Sequence, residues 1–230
     1  MSVPALLSRF AAVAIASALL SGCGMTIVPK ASPEDVAGAP AGERVVFGRI
    51  NYVIDGKQRT PYGASYPAWP APFVHMVRLE SGIMFATPAV GGADGRFRWR
   101  LSPGSYVITR IGAGQFTDQT FVAWPRVAFQ VPPEGGPVYL GHLVLEGTTS
   151  VRPLPDGGSY EFIGYRFLVR DEFAEDAAAL GPGVARRATR SLMLHDPQMP
   201  IGDELSEEWQ RSRRSLVERI FGPGTLRLPE

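Results

Sequence analysis

Hydrophobic and polar residues alternate along much of the chain from residue 44 onwards, a pattern typical of half-buried β-strands. The clearest case is residues 96–101, RFRWRL, in which aromatic or aliphatic residues alternate with arginine. One face of such a strand is buried and the other is exposed to solvent. We therefore expect Phe97, Trp99 and Leu101 to be buried together, and Arg96 and the arginines at positions 98 and 100 to face solvent.

Similar strands, separated by turns rich in proline and glycine, follow one another along most of the chain. Besides residues 96–101, strands are predicted at 44–54, 73–79, 83–86, 105–111, 121–124, 126–131, 138–146 and 159–170. Many short strands at this spacing predict a mainly β fold, an antiparallel β-sandwich over residues 44–170.

Two helices are predicted in residues 171–230, which we expect to form a helical C-terminal extension. The first covers residues 171–180, and the second covers residues 204–221, where Asp203 is placed to cap it and Gly222-Pro223 ends it. The second helix is amphipathic, with an apolar stripe that includes Leu205, Trp209 and Leu216. This stripe either docks on the sandwich or binds a partner.

The N-terminal 22 residues have the features of a removable signal peptide. Arg9 precedes an uncharged apolar run over residues 10–20, which is too short for an ordinary transmembrane helix but suits a signal-peptide core. The run ends in Leu20-Ser21-Gly22-Cys23, which resembles the lipobox of bacterial lipoproteins. The alternative is an ordinary secretory signal followed by an incidental cysteine.

The lipobox resemblance implies that Cys23 becomes the lipid-bearing first residue of the mature chain. Two or more acyl chains hold a protein stably at a membrane without spanning it. A residue other than Asp after the cysteine, here Gly24, implies the outer membrane of the cell envelope as the location. Residues 24–43 are rich in Pro, Ala and Gly, so we expect residues 23–43 to be a lipidated start and a flexible tether, holding the domain roughly 25 Å from the bilayer.

Composition and charge restrict the classes of binding partner that we expect. The chain has 45% hydrophobic and 20% charged residues and a net charge of +1, so it can bury a core and has no charge excess that favours nucleic acid. It contains one cysteine, which excludes an intrachain disulfide. The expected partners are the membrane, through the lipid anchor, and an envelope protein or glycan.

Part of the β-rich region resembles a known family. Val77-Arg78-Leu79, followed by residues 95–108 with the sequence GRFRWRLSPGSYVI, is similar to the carboxypeptidase-regulatory-like, transthyretin-type β-sandwich and its G-x-F-x-W/F-x-L-x-P-G-x-Y-x-I hairpin. The resemblance covers roughly residues 44–111, and it implies a non-catalytic scaffold or binding module. The strands after residue 115 are additions to the family's minimal domain.

Catalytic motifs are absent from the sequence. There is no nucleophile elbow, HExxH motif, phosphate-binding glycine loop or calcium-loop spacing. His142 lies among apolar residues, which favours a satisfied core histidine over a ligand. The carboxylates at positions 171, 172, 175 and 176 favour a solvated helix start over a cation site. We therefore expect no enzyme activity, no cofactor and no metal; the alternative is a hydrolase of envelope or extracellular polymers, assembled from distant residues.

Two surfaces are candidates for binding. The segment 60–73 carries Tyr62, Tyr66 and Trp69 between prolines, and such aromatics either stack on a ligand or pack over the end of the sandwich. The arginines of residues 96–101 either meet an anionic partner or form a solvated face that guards against aggregation.

Overall fold

The computed structural model of the chain describes residues 25–59, 73–87, 94–113, 121–154, 157–199 and 218–222. Within these ranges the protein is mainly β. The strands are β1 (Met25–Ile27), β2 (Arg44–Ile54), β3 (Lys57–Arg59), β4 (Phe73–Arg78), β5 (Met84–Ala86), β6 (Arg96–Leu101), β7 (Gly104–Ala113), β8 (Phe121–Ala123), β9 (Val127–Val131), β10 (Val138–Leu154), β11 (Gly157–Arg170), β12 (Thr189–Arg190) and β13 (Leu194–His195). The helices are α1 (Pro33–Ala37), α2 (Phe173–Leu180) and α3 (Val184–Arg187), and residues 218–221 are also helical.

The strands form two sheets. Sheet A has the order β1-β5-β4-β7-β9-β13, with β8 also paired to β7, and sheet B has the order β11-β10-β2-β3, with β6 also paired to β2 and β12 to β10. Both sheets are mixed, because β1 pairs with β5 in parallel, and β10 pairs in parallel with both β2 and β12. The all-antiparallel arrangement predicted from the sequence is therefore wrong. Between β2 and β10 the chain builds most of sheet A and returns in the same direction, a crossover that local alternation does not reveal.

The predicted strands are present, and two of them, 44–54 and 96–101, have the predicted bounds. The largest difference is β10, which continues to Leu154 in a long hairpin with β11. Residues 147–154, GTTSVRPL, lack the alternation that marks a buried strand, so their pairing with β11 is not visible in the pattern.

A single apolar cluster joins the two sheets. It contains Phe97, Trp99 and Leu101 of β6 together with Tyr106 and Phe129 of sheet A. The rings of Phe97 and Trp99 are stacked with centroids 3.9 Å apart, and Trp99 is 2% exposed. The predicted burial of the three alternating residues of β6 is confirmed.

The opposite face of β6 is covered rather than solvated. Arg96 makes ion pairs with α2, and Arg100 lies 3.4 Å from Glu43 and 3.7 Å from Asp35. The prediction that these arginines face open solvent is wrong, because the N-terminal segment and α2 pack over this face of sheet B. Apolar side chains from both covering segments and from the sheet form a second cluster there: Ala31, Val36, Val45, Phe47, Tyr139, Ala177 and Val184.

Residues 25–43 are built into the fold. β1 extends sheet A, Val28 and Val36 are buried, and the backbone N–H of Ala31 donates to the carbonyl of Arg98. Ser32 caps α1 through a hydrogen bond from the Asp35 N–H, and Asp35 accepts from the Ser32 N–H in return. The flexible tether predicted for residues 23–43 is therefore wrong over residues 25–43.

The region after residue 170 contributes to both sheets as well as forming helices. The helix predicted at 171–180 is present as α2, but β12 pairs with β10 and β13 pairs with β9. A wholly helical extension is therefore wrong for residues 171–199. Residues 204–217 of the predicted amphipathic helix lie outside the described residues. Ile220 and Phe221 pack on a third apolar cluster, which is formed by Leu79, Val107, Ala128 and Met199.

Candidate functional site

A β-bulge in β10 places two polar side chains on the covered face of sheet B. The register with β2 shifts between Tyr139 and Gly141, and Gly141 has a φ of +100°, which favours glycine. Because of the extra residue, Tyr139 and His142 both point towards α2, while Leu140 and Leu143 enter the core between the sheets. Regular alternation would place Tyr139 and His142 on opposite faces.

Two arginines lie directly opposite each other on the same face. Arg49 of β2 is the cross-strand partner of Arg96 of β6, a position at which like charges destabilise a sheet. The carboxylates of α2 compensate for this repulsion: Glu175 Oε1 lies 3.0 Å from Arg49 Nη1 and 3.0 Å from Arg96 Nη2. Helix α2 is thereby fixed over the two strands.

Arg49 is the centre of the ionic cluster. It pairs with Glu172 through Nη2, with Glu175 through Nη1, and with Asp176 Oδ1 at 2.7 Å from Nε. Burial lowers its pKa, but the hydrogen bond to Glu175 and the charges of Asp176, Glu172 and Glu175 outweigh burial, so the pKa is raised overall. Arg49 therefore remains a cation at 8% exposure.

Asp176 is the most deeply buried acid of the cluster, at 1% exposure. Tyr139 Oη donates to its Oδ2 at 3.2 Å and accepts the backbone N–H of Glu172 at 2.8 Å. Burial raises the pKa of Asp176, against the opposing effects of Arg49, Tyr139 and Arg96, and burial also raises the pKa of Tyr139. The solvated helix start predicted for the carboxylates at 171, 172, 175 and 176 is wrong for Asp176, which is enclosed against sheet B, whereas the Glu175 side chain is 61% exposed.

His142 joins the cluster at its edge, where its Nδ1 lies 2.9 Å from Glu172 Oε2. An ionised carboxylate only accepts hydrogen bonds, so the contact places a hydrogen on Nδ1. Burial lowers the pKa of His142 more strongly than the hydrogen bond to Glu172 raises it. At 7% exposure it is the satisfied buried histidine that the sequence predicts.

The arrangement neutralises buried charge and attaches a helix to a sheet. Within the described ranges, no group of His, Cys, Asp or Glu side chains has the arrangement of a metal site. The sequence pattern did not reveal the cluster, because Arg49 and Glu172 are 123 residues apart. The local signal that could have identified part of it is Gly141, a strand glycine of the kind that marks a bulge.

A second feature is an open cavity of about 540 Å³ at the start of β2. Its walls come from three parts of the chain, namely residues 35–39, 43–45 and 135–137, together with Arg187 of α3. Arg44, which is 7% exposed, is the buried charged residue in this wall. Neither Arg44 nor Arg187 stands out in the sequence pattern.

The chain matches no protein-family model, no curated protein and no solved structure. No helix of the described residues is both long and apolar enough to cross a bilayer. The proposed lipid-attachment residue Cys23 and the aromatic residues Tyr62, Tyr66 and Trp69 lie outside the described residues.

Proposed function

We propose that this chain is a lipid-anchored, non-catalytic β-sandwich module of the bacterial cell envelope. Cys23 carries the lipid, the outer membrane is its location, and an envelope protein or glycan is its partner. The lipobox-like sequence Leu20-Ser21-Gly22-Cys23 supports the anchor. The apolar cluster that joins sheets A and B supports the sandwich, and residues 44–111 carry its resemblance to transthyretin-type domains.

The observation that carries the proposal is how close the anchor lies to the fold. Met25, the first residue of β1, is two positions after Cys23, and two Cα–Cα steps span at most about 8 Å. A lipid on Cys23 therefore brings this edge of sheet A to the bilayer surface. A domain on a long flexible tether would have no such constraint.

The edge of sheet A beside the anchor has the surface expected at a lipid interface. Ile27 of β1 is 65% exposed, Ile83 is 45% exposed and Met84 of β5 is 43% exposed. Burying an aliphatic side chain completely contributes about 1.5–3 kcal/mol, so three partly exposed residues add to the membrane affinity of the acyl chains. The module in this proposal rests against the membrane.

One observation favours the alternative, a hydrolase of envelope or extracellular polymers. The pairing of His142 with Glu172 has the geometry of a base and its orienting carboxylate. A catalytic base must reach its substrate, but His142 is buried and Glu172 is shared with Arg49. The cavities of about 540 and 510 Å³ among the described residues are lined by other side chains. We therefore propose the module rather than the enzyme.

The direct test of the anchor is the Cys23→Ser variant of the full chain, expressed in bacteria supplied with labelled palmitate. The proposal predicts that the wild-type chain is labelled, and that the Cys23→Ser variant is unlabelled and is released from the membrane fraction. Ser21→Ala is the matched control, because it keeps both a small residue at this position and the cysteine. Equal membrane retention and labelling of the Cys23→Ser chain would refute the anchor.

A further inference from the structure

Arg44, the first residue of β2, is a buried arginine without a carboxylate partner among the described residues. Its Nη2 donates to the carbonyl of Gly136, and this is one of five N–H donors on a guanidinium group. Burial lowers its pKa, and no neighbouring acid opposes that effect. A buried cation of this kind is costly unless an anion pairs with it.

Arg49 on the same strand gives an internal comparison. The two arginines are almost equally buried, at 7% exposure for Arg44 and 8% for Arg49. Arg49 meets three carboxylates, and its pKa is raised. This fold therefore supplies acids to one buried arginine of β2 and leaves the other facing a cavity.

The cavity next to Arg44 contains a second guanidinium group. Arg187 lies in its wall and donates to the carbonyls of Ala37 at 3.3 Å and Val36 at 3.4 Å. Among the described residues it too therefore pairs with carbonyl groups and not with an acid. The wall also contains two carboxylates, Asp35 and Glu43, but these two pair with Arg100.

The absence of a side chain at Gly135 leaves room beside Arg44. Gly135 has a φ of +107°, and a Cβ at this position would lie 3.2 Å from Arg44 Nη2 and from Thr189 Oγ1. A side chain there would be strained and would crowd the edge of the guanidinium group.

We propose that this cavity binds an oxyanion, a phosphate or carboxylate group of a ligand, between Arg44 and Arg187. Both groups present paired oxygen acceptors that match the planar donors of arginine. The ligand supplies the negative charge that the fold provides for Arg49 and omits for Arg44. The site goes beyond the proposed anchoring function and does not depend on it, since binding can be measured whether or not Cys23 is acylated.

The test is calorimetric titration of the full chain in detergent with inorganic phosphate and, separately, with acetate, at an ionic strength held constant with chloride. We expect saturable binding of at least one anion, and the anion that binds identifies the ligand group. Arg44→Gln and Arg187→Gln should each weaken binding by about tenfold or more, the effect of losing a charge-assisted hydrogen bond. Arg186→Gln is the matched control, because Arg186 is exposed, adjacent in sequence and outside the cavity wall.

The absence of saturable binding of both anions would overturn the proposal. If Arg186→Gln weakened anion binding as much as Arg187→Gln, the proposal would also be overturned, because the loss of affinity would then come from the change in overall charge. Arg187 is exposed, so Arg187→Gln should fold even if Arg44→Gln does not. Unchanged affinity in Arg187→Gln would therefore contradict the two-arginine site on its own.

Discussion

Tyr139 donates a hydrogen bond of 3.2 Å to Asp176 and accepts the backbone N–H of Glu172, so one hydroxyl of sheet B holds both the start and the middle of α2. Tyr139→Phe keeps the ring but leaves Asp176 and the Glu172 N–H without this partner. We expect a loss of about 1–3 kcal/mol in the free energy of unfolding, the cost of leaving buried polar groups unsatisfied. Urea unfolding measures it, and Tyr165→Phe, at an exposed position of β11, is the control. Equal stability of Tyr139→Phe and wild type would show that the hydroxyl has no such role.

Removing the charge of Arg49, at the centre of the ionic cluster, should lower the free energy of unfolding by more than Tyr139→Phe does. Arg49→Met removes the closest cation from Asp176, which is 1% exposed, and leaves this carboxylate with the more distant Arg96 Nε at 3.4 Å. Breaking a buried pair in this way costs about 3–5 kcal/mol. The double variant Arg49→Met/Asp176→Asn should recover part of that loss in urea unfolding, because the buried carboxylate is gone. A double variant whose loss equals the sum of the two single losses would contradict direct coupling.

The burial of His142 predicts how stability depends on pH. Its pKa in the folded chain is lowered below the ordinary histidine value, mainly by burial, so the unfolded chain binds the proton more readily. The stability contributed by His142 is therefore complete above the unfolded pKa and is lost as pH falls from about 7 towards 5. Burial also lowers the pKa of His75, so this residue makes the stability depend on pH in the same direction. Each histidine must therefore be replaced separately.

We expect His142→Gln to reduce the slope of unfolding free energy against pH in this window. The measurement is urea unfolding at several pH values, and equal slopes for His142→Gln and wild type would contradict the prediction.

The core between the sheets depends on Trp99, which is 2% exposed and stacks on Phe97. Trp99→Ala should cost about 3–5 kcal/mol through lost burial and the cavity that it leaves. Trp124→Ala is the matched control, since Trp124 is 38% exposed. Thermal unfolding should separate the two variants clearly, and similar melting temperatures would mean that Trp99 is not a core residue.

The sequence predicts the strands and the buried face of β6 because alternation is a local property. It does not predict what covers the other face. Arg96 and Arg100 have the pattern of solvated residues. One acid that pairs with Arg96, Asp94, lies just before the strand, but its other acids come from α2, and Arg100 pairs with residues 35 and 43. Such pairing depends on tertiary packing, which a strand's own residues do not encode.

The N-terminal segment contains a local sequence signal for a helix, although its overall composition is that of a linker. Its Pro, Ala and Gly content is typical of a linker, yet Ser32-Pro33-Glu34-Asp35 has the features of a helix start, with a capping serine, proline at the first position and an acid three residues after the cap. Val28 and Val36 then supply enough apolar surface to hold the segment on the fold.

The central claim is that the lipid anchor holds sheet A directly against the membrane. Because the chain has one cysteine and the lipid occupies its thiol in this proposal, Ile83→Cys introduces the sole free thiol for a spin label. Ile163→Cys on β11 is the matched control, because Ile163 is 67% exposed and β11 belongs to sheet B, the sheet that does not contain β1.

The decisive measurement is the collision rate of each label with a water-soluble nickel complex and with oxygen, in the acylated full chain reconstituted into vesicles. We expect the label at position 83 to be shielded from nickel and accessible to oxygen, as at a lipid interface, and the label at position 163 to be accessible to nickel. Equal nickel accessibility at the two positions would contradict the claim, because the domain would then be held away from the bilayer.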